Sequence, residues 1–260
     1  MTKKSPNTIN KWYSIFVMAT LIAIWQISFM LELVPRFMLP SPVQVFSAFV
    51  SEFDVLMGHL KITLTEAVLG LGLSVVVAFF LAILMDISSV AYQALYPILI
   101  VSQTIPVIAI APLLVLWLGY GLAPKVTVVF LVCFFPITVG LLDGFKRSDP
   151  DAIKLMKSMG ANTRQIFWHI KLPYAMPNLL AGIKVSVSYA VIGAVVAEWL
   201  GGNQGLGVYM TRVRSSYSFD KMFAVIFLVS IVSLVLMRCV AILEAKLMPH
   251  QNLKNEGEKR

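Results

Sequence analysis

Few residues in this chain are arranged for catalysis. The three histidines, His59, His169 and His250, stand far apart, with no HExxH or CxxC spacing. Cys133 and Cys239 both fall inside apolar runs and read as small packing residues, not as a disulfide or a metal pair. No structural or catalytic metal is expected. Gly201-Gly202, Gly205 and Gly207 form a glycine cluster, but no GK[ST] follows, so it reads as a close-packing turn and not as a phosphate cradle. Three features remain. Gln103 and Thr104 lie among Pro97, Pro106 and Pro112, Glu198 stands at the end of an apolar run, and residues 149–177 are polar and amphipathic.

These residues must be positioned by membrane helices. Of the 260 residues, 58% are hydrophobic and 13% charged, whereas a soluble domain is about half apolar and about a quarter charged. A span needs about 20 apolar residues to cross about 30 Å of hydrocarbon. Six runs qualify, at about residues 12–33, 63–85, 94–118, 126–142, 178–200 and 222–243. They must be helical, because backbone in lipid has to satisfy its own hydrogen bonds, and continuous apolar runs do not alternate as barrel strands do. The first run is too long for a secretory signal and lacks a clear small-residue cleavage site, so it reads as a retained span. The expected organisation is an arm at 1–11, a membrane domain at 12–247 and a tail at 248–260.

Lysine and arginine set the orientation. Lys3, Lys4 and Lys11, then Lys146, Arg147, Lys154, Lys157, Arg164 and Lys171, then Lys246, Lys254, Lys259 and Arg260 fall on one face. They outnumber Arg36, Lys61, Lys125, Arg212, Arg214 and Lys221 on the other. The richer face is cytoplasmic, so both termini point inward. Lys184 and Arg238 sit where they can snorkel to it. The net charge of +8 is accounted for by this bias, and nucleic acid is not an expected partner.

On the cytoplasmic face, residues 149–177 predict two short helices with a bend. Asp149-Pro150-Asp151 is a capped start with proline in the first turn. Ile153, Met156 and Met159 recur at helical spacing, and Gly160 is a natural stop. Asn162 or Thr163 caps a second helix with an apolar face of Ile166, Phe167 and Ile170, and Pro173 opposes its continuation. Such an element either rests on lipid head groups or docks a cytoplasmic partner, with Ile166, Phe167 and Trp168 as bulky anchors.

The segment resembles the signature of ABC importer permeases of type I architecture, which reads EAA, three residues, Gly, nine residues, Ile, one residue, Leu-Pro. Gly160, Ile170 and Leu172-Pro173 stand in that register, while the start reads Lys154-Leu155-Met156 and lacks the glutamate. The resemblance covers about residues 39–247. It includes Leu39-Pro40-Ser41-Pro42-Val43-Gln44-Val45, the stretch PVIAIAPLLVLWLGYG from Pro106 to Gly121, and Ala197-Glu198-Trp199-Leu200-Gly201-Gly202. It is similar to the branch that handles nitrate, alkanesulfonates, taurine and pyrimidine precursors of thiamine. The resemblance implies an all-α bundle of six transmembrane helices (MetI-like) with cytoplasmic coupling helices, in a bacterial inner membrane. It implies a non-catalytic subunit that binds no cofactor, an ATP-binding partner that carries ATP and magnesium, an extracytoplasmic solute-binding protein and a homodimeric pore. Lys154, Gly160, Ile166, Phe167, Trp168, Ile170, Leu172 and Pro173 would form the coupling element.

For the solute path the candidates are Gln103, Thr104, Pro106 and Glu198. The prolines either line the path or only shape the bundle. Glu198 is a gate or structural group, a cargo contact, or a solvated interfacial charge. Glu66 reads as a head-group-level charge, and Gly70, Gly72 and Gly140 suit tight helix contact. The competing classes are an ion-driven secondary transporter and an intramembrane enzyme. The first needs ionisable groups deep in the spans and internal repeats, and the second a His/Asp/Glu or Ser/His grouping at depth.

Overall fold

The computed structural model describes residues 6–35 and 38–248, with side chains from Trp12 onward. The expected terminal arm and tail therefore lie largely outside the described residues, as does Arg36. Every regular element described is helical: α1 Pro6–Met30, α2 Pro42–Ser51, α3 Phe53–Ile87, α4 Ser89–Thr104, α5 Val107–Leu118, α6 Leu122–Lys146, α7 Pro150–Ser158, α8 Thr163–Ile166, a π turn Phe167–Lys171, α9 Leu172–Gly201, α10 Leu206–Ser215 and α11 Phe219–Leu247. Among the described residues five helical stretches are long and apolar enough to cross a membrane, six if the bent pair α4/α5 counts as one broken span. The helices overrun the apolar runs. The second begins at Phe53, not near residue 63, and so carries Asp54, His59 and Lys61 in helix.

The third expected span is not one helix. α4 and α5 meet at 101°. Of its three prolines only Pro106 breaks the chain, since Pro97 and Pro112 remain inside α4 and α5. The proline ring drives the preceding residue out of helical conformation, and Ile105 is extended (φ −84°, ψ 120°). The hydroxyls of Ser102 and Thr104 donate to the carbonyls of Leu99 and Val101, at 2.7 and 2.8 Å, and satisfy groups at the end of α4.

The chain divides into two compact units. One comprises the residues up to Gly58 together with Tyr209–Leu228, and the other His59–Val208 with the residues from Val229 onward. In the first unit, Ser41 and Gln44 form a capping box that starts α2. The Trp25 indole donates to the Pro40 carbonyl at 3.0 Å and stacks on Phe223 and Phe227. Val45, Ala48 and Ala224 are buried beside it, and Lys221 pairs with Glu52. Trp25 is thus a packing residue, whereas Trp12 and Trp117 are largely exposed.

The second unit is organised on α6 and α9, which run antiparallel with their backbones nearly in contact. A Cβ on Gly144 would lie 2.6 Å from the Ala175 Cα, and one on Gly182 would lie 2.8 Å from the Pro136 carbonyl oxygen. Gly140 meets Asn178 in the same way, and Gly70 of α3 meets Val129. Gly72 meets nothing within 4 Å, so that expected contact is absent. Where lipid is as apolar as leucine, such close packing and interhelical hydrogen bonds hold helices together. Ser186 Oγ donates to the Cys133 carbonyl at 3.0 Å, and Cys133 Sγ to the Ser186 carbonyl at 3.2 Å. Ala78, Ala82 and Met85 of α3 and Leu99 of α4 pack with Ile137, Leu141, Phe145 and Leu179 of this pair. Lys184, expected to snorkel, is paired with Glu244 at 2.7 Å.

Gly182→Leu is expected to wedge α6 from α9 and destabilise the bundle by about 1–3 kcal/mol, seen as a lower thermal unfolding midpoint in detergent. Gly72→Ala should leave the midpoint unchanged or raise it. Equal destabilisation by both would contradict the packing described.

Candidate functional site

Residues 149–177 build a knob at one end of α9. The Asp149 carboxylate accepts the Asp151 N–H at 2.9 Å, with Pro150 in the first turn of α7. Gly160 (φ 83°) closes α7 with two bonds, its own N–H to the Lys157 carbonyl and the Ala161 N–H to the Met156 carbonyl. This is the Schellman arrangement, and its left-handed residue is glycine because a Cβ would be strained there. Asn162 then caps α8 in a reciprocal pair with Gln165, both bonds 2.8 Å.

The expected stop at Pro173 does not occur. α8, the π turn and α9 run on as one 39-residue stretch, Thr163–Gly201. The π turn widens the spiral by one residue, with the Leu172 N–H reaching the Phe167 carbonyl, and the following proline sits in the first turn of α9. Lys171 in that turn pairs with Asp86 of α3 at 2.7 Å. The part of the knob from Thr163 onward is therefore helically continuous with the span, with α7 joined to it through the Gly160 bend.

Burial sorts the expected coupling residues. Ile166 and Ile170 are only 5% and 7% exposed, and the Phe167 ring packs tilted against Phe145 with ring centres 5.7 Å apart. Ile166 and Ile170 thus face the bundle, and half-buried Phe167 touches it through Phe145. Trp168 is 53% exposed and Met159, marked in the sequence only for its helical spacing, 75%. A groove of about 370 Å³ lies between the two helices, lined by Met156, Met159, Gly160, Ala161, Gln165 and His169. Lys154 is exposed and pairs with Asp151 at 3.1 Å, Leu172 is half-buried, and Pro173 is exposed.

The four expected path residues fall in two places. At the α4/α5 break, Ser102, Gln103, Ile105, Val107, Leu131, Val132 and Tyr189 line a cavity of about 210 Å³ with no charged side chain. Pro106 creates that break, while the Thr104 hydroxyl turns back onto its own helix. Tyr189 was not anticipated; α9 brings it from more than eighty residues away in the chain.

Glu198 belongs to a second place, near the Gly201 end of α9. It is buried, and the expectation of a solvated interfacial charge is overturned. Thr63 Oγ1 donates to its Oε1 at 2.6 Å and the Gly207 N–H to its Oε2 at 2.5 Å, while the Leu206 N–H donates to Thr63 Oγ1 at 2.9 Å. The Gly205 N–H donates to His59 Nδ1 at 3.0 Å. A Cβ on Gly205 (φ 122°) would lie 2.1 Å from the Glu198 carboxyl carbon, so only glycine lets the turn close over the acid. Glu66, expected at head-group level, is also buried and accepts Lys125 Nζ at 2.6 Å. Thr63 and Glu66, three residues apart on α3, share a face, but nothing local pointed to Glu198 and Lys125 as their partners.

Residues 74–249 match the family described as the binding-protein-dependent transport system inner membrane component. The chain is 40% identical over 230 residues to a formylaminopyrimidine transport permease protein of Halalkalibacterium halodurans, covering 88% of this chain and 92% of the relative. It is 36% identical over 222 residues to a probable ABC transporter permease protein of Haemophilus influenzae, covering 85% and 91%. Among solved structures, an amino acid ABC transporter crystallised with histidines shares the fold, with a TM-score of 0.61 at 16% identity over 78% of this chain and 96% of that one. This chain is accordingly a member of the binding-protein-dependent inner membrane component family, the membrane permeases of ABC importers.

Proposed function

We propose that this chain forms one half of a pore that receives a small solute from an extracytoplasmic binding protein, and that a separate subunit hydrolyses ATP and drives it. The observation that carries the reading is the knob at residues 149–177. It presents Trp168, Met159 and a groove outward while being continuous with α9 and clamped to α3 through Lys171 and Asp86. Large exposed side chains around a small concavity are the chemistry of an interface anchor, and a rigid element joined to a span transmits displacement without absorbing it. Gly160, Trp168 and Lys154 contact the partner, whereas Ile166, Phe167, Ile170, Leu172 and Pro173 join the knob to the span. ATP and magnesium are held by that partner, and this chain supplies no catalytic group. A second copy completes the pore, and both termini face the cytoplasm with the knob.

The path passes the α4/α5 break, where Gln103 and Pro106 lie, with Thr104 beside it. The cavity there offers an amide, a hydroxyl and the Tyr189 ring, and no charge. An anion at this depth would leave water without a counter-charge, at heavy cost. A flat uncharged nitrogen heterocycle can stack on Tyr189 and exchange hydrogen bonds with Gln103. This favours a pyrimidine cargo, as in the name of the Halalkalibacterium relative, over sulfonate, taurine or nitrate.

Two outcomes test the reading. Trp168→Asp should leave the chain inserted and folded but reduce transport and binding-protein-stimulated ATP hydrolysis at least tenfold in the reconstituted complex, the scale of losing one interface anchor of about 2 kcal/mol; unchanged activity would sink the knob assignment. Tyr189→Leu should lower formylaminopyrimidine uptake while binding-protein-stimulated ATP hydrolysis persists, and equal uptake by both proteins would remove Tyr189 from the path.

A further inference from the structure

The network around Glu198 has one more acceptor than its donors can satisfy. Glu66 Oε1 takes the Lys125 ammonium, but Glu66 Oε2 is fully buried and accepts no hydrogen bond from any described donor. Both oxygens of Glu198 are already engaged, one by the Thr63 hydroxyl and the other by the Gly207 N–H. Yet Thr63, which donates to Glu198, stands one helical turn before Glu66 on α3, so the two buried acids share one pocket with Lys125 as the cation. Two carboxylates hold no donor between them, and two buried like charges against a single ammonium leave one charge uncompensated.

We propose that Glu66 and Glu198 hold one proton between them, forming a buried proton-binding site that locks the 202–207 turn onto α3 and α9. With the proton in place, Glu66 Oε2 receives a donor, and the carboxyl pair carries a single negative charge, balanced by Lys125. Glu198 can then stay beneath Gly205 and accept the Thr63 and Gly207 donors. Without the proton, two anions face each other with one cation, and the turn over Glu198 loosens. The groups that face the pair are Lys125 from α6, His59 and Thr63 from α3, and the Gly205–Gly207 amides; no charged side chain lies within 202–207. His59 accepts the Gly205 N–H through Nδ1, which requires that nitrogen to be unprotonated.

The folded chain then carries one more proton than the unfolded chain at neutral pH. Its stability therefore falls as pH rises, by about tenfold in the unfolding constant per pH unit for as long as that proton stays bound. The test uses the full chain in lipid nanodiscs. Infrared spectra of the wild type should show a protonated-carboxyl C=O band at neutral pH that is absent in Glu66→Gln and in Glu198→Gln. Either variant suffices if the other does not fold. Glu198→Gln, whose amide can donate to Glu66 as the acid O–H does, should keep the neutral-pH unfolding midpoint and lose the one-proton pH slope. His59→Gln, run in parallel, should keep the slope. A wild type without the band, or a slope that persists unchanged in Glu198→Gln, would overturn the proposal.

Discussion

The approach of α6 and α9 is the constraint on which the second unit depends. Their backbones come so near that glycine at 144 and 182 is a steric requirement. In water this seam could be replaced by a jigsaw of large apolar side chains. In lipid, apolar area alone gives no advantage, and van der Waals contact between backbones together with hydrogen bonds such as the Cys133–Ser186 exchange must hold the pair. Once these two helices are fixed, the ends of α9 are fixed too, and everything attached to them inherits that rigidity.

At one end of α9 the attachment is the knob. Its helix boundaries follow from local chemistry, through the Asp149 and Asn162 caps and the left-handed Gly160. Its mechanical character does not. A π turn carries the chain past Pro173 without a break, and buried Ile166 and Ile170 with the Lys171–Asp86 pair tie the turn down. Trp168 therefore stands on a helix that runs without a break into the span.

At the other end the attachment is polar. Buried charges in a membrane protein persist only when partnered, and here Lys125 pairs with Glu66, Thr63 and the Gly207 amide donate to Glu198, and the Leu206 and Gly205 amides donate to Thr63 and His59 beside them. The glycines of the 201–207 cluster make this assembly sterically feasible, which is a more specific role than tight packing. Between the two ends, the Pro106 break opens the charge-free cavity that Tyr189 reaches from α9.

Much of this was legible in one dimension. Apolar run length implies membrane helices because hydrocarbon thickness and helical rise are constants, and caps and glycine stops are local because their hydrogen bonds span only a few residues. The resemblance carried by Gly160, Ile170 and Leu172-Pro173 marks the segment that forms the knob. Other properties required the fold. Which proline breaks α4 from α5 depends on whether neighbouring carbonyls find donors. Whether Ile166 faces a partner or the core depends on what α3 and α6 present to it. Glu66 and Glu198 read as interfacial charges because their partners, Lys125 and Thr63, lie 59 and 135 residues away from them along the chain. Periodicity reports which side of a helix is apolar; only tertiary packing determines which buried acid meets which base, because that pairing depends on distances across the bundle that no local pattern encodes.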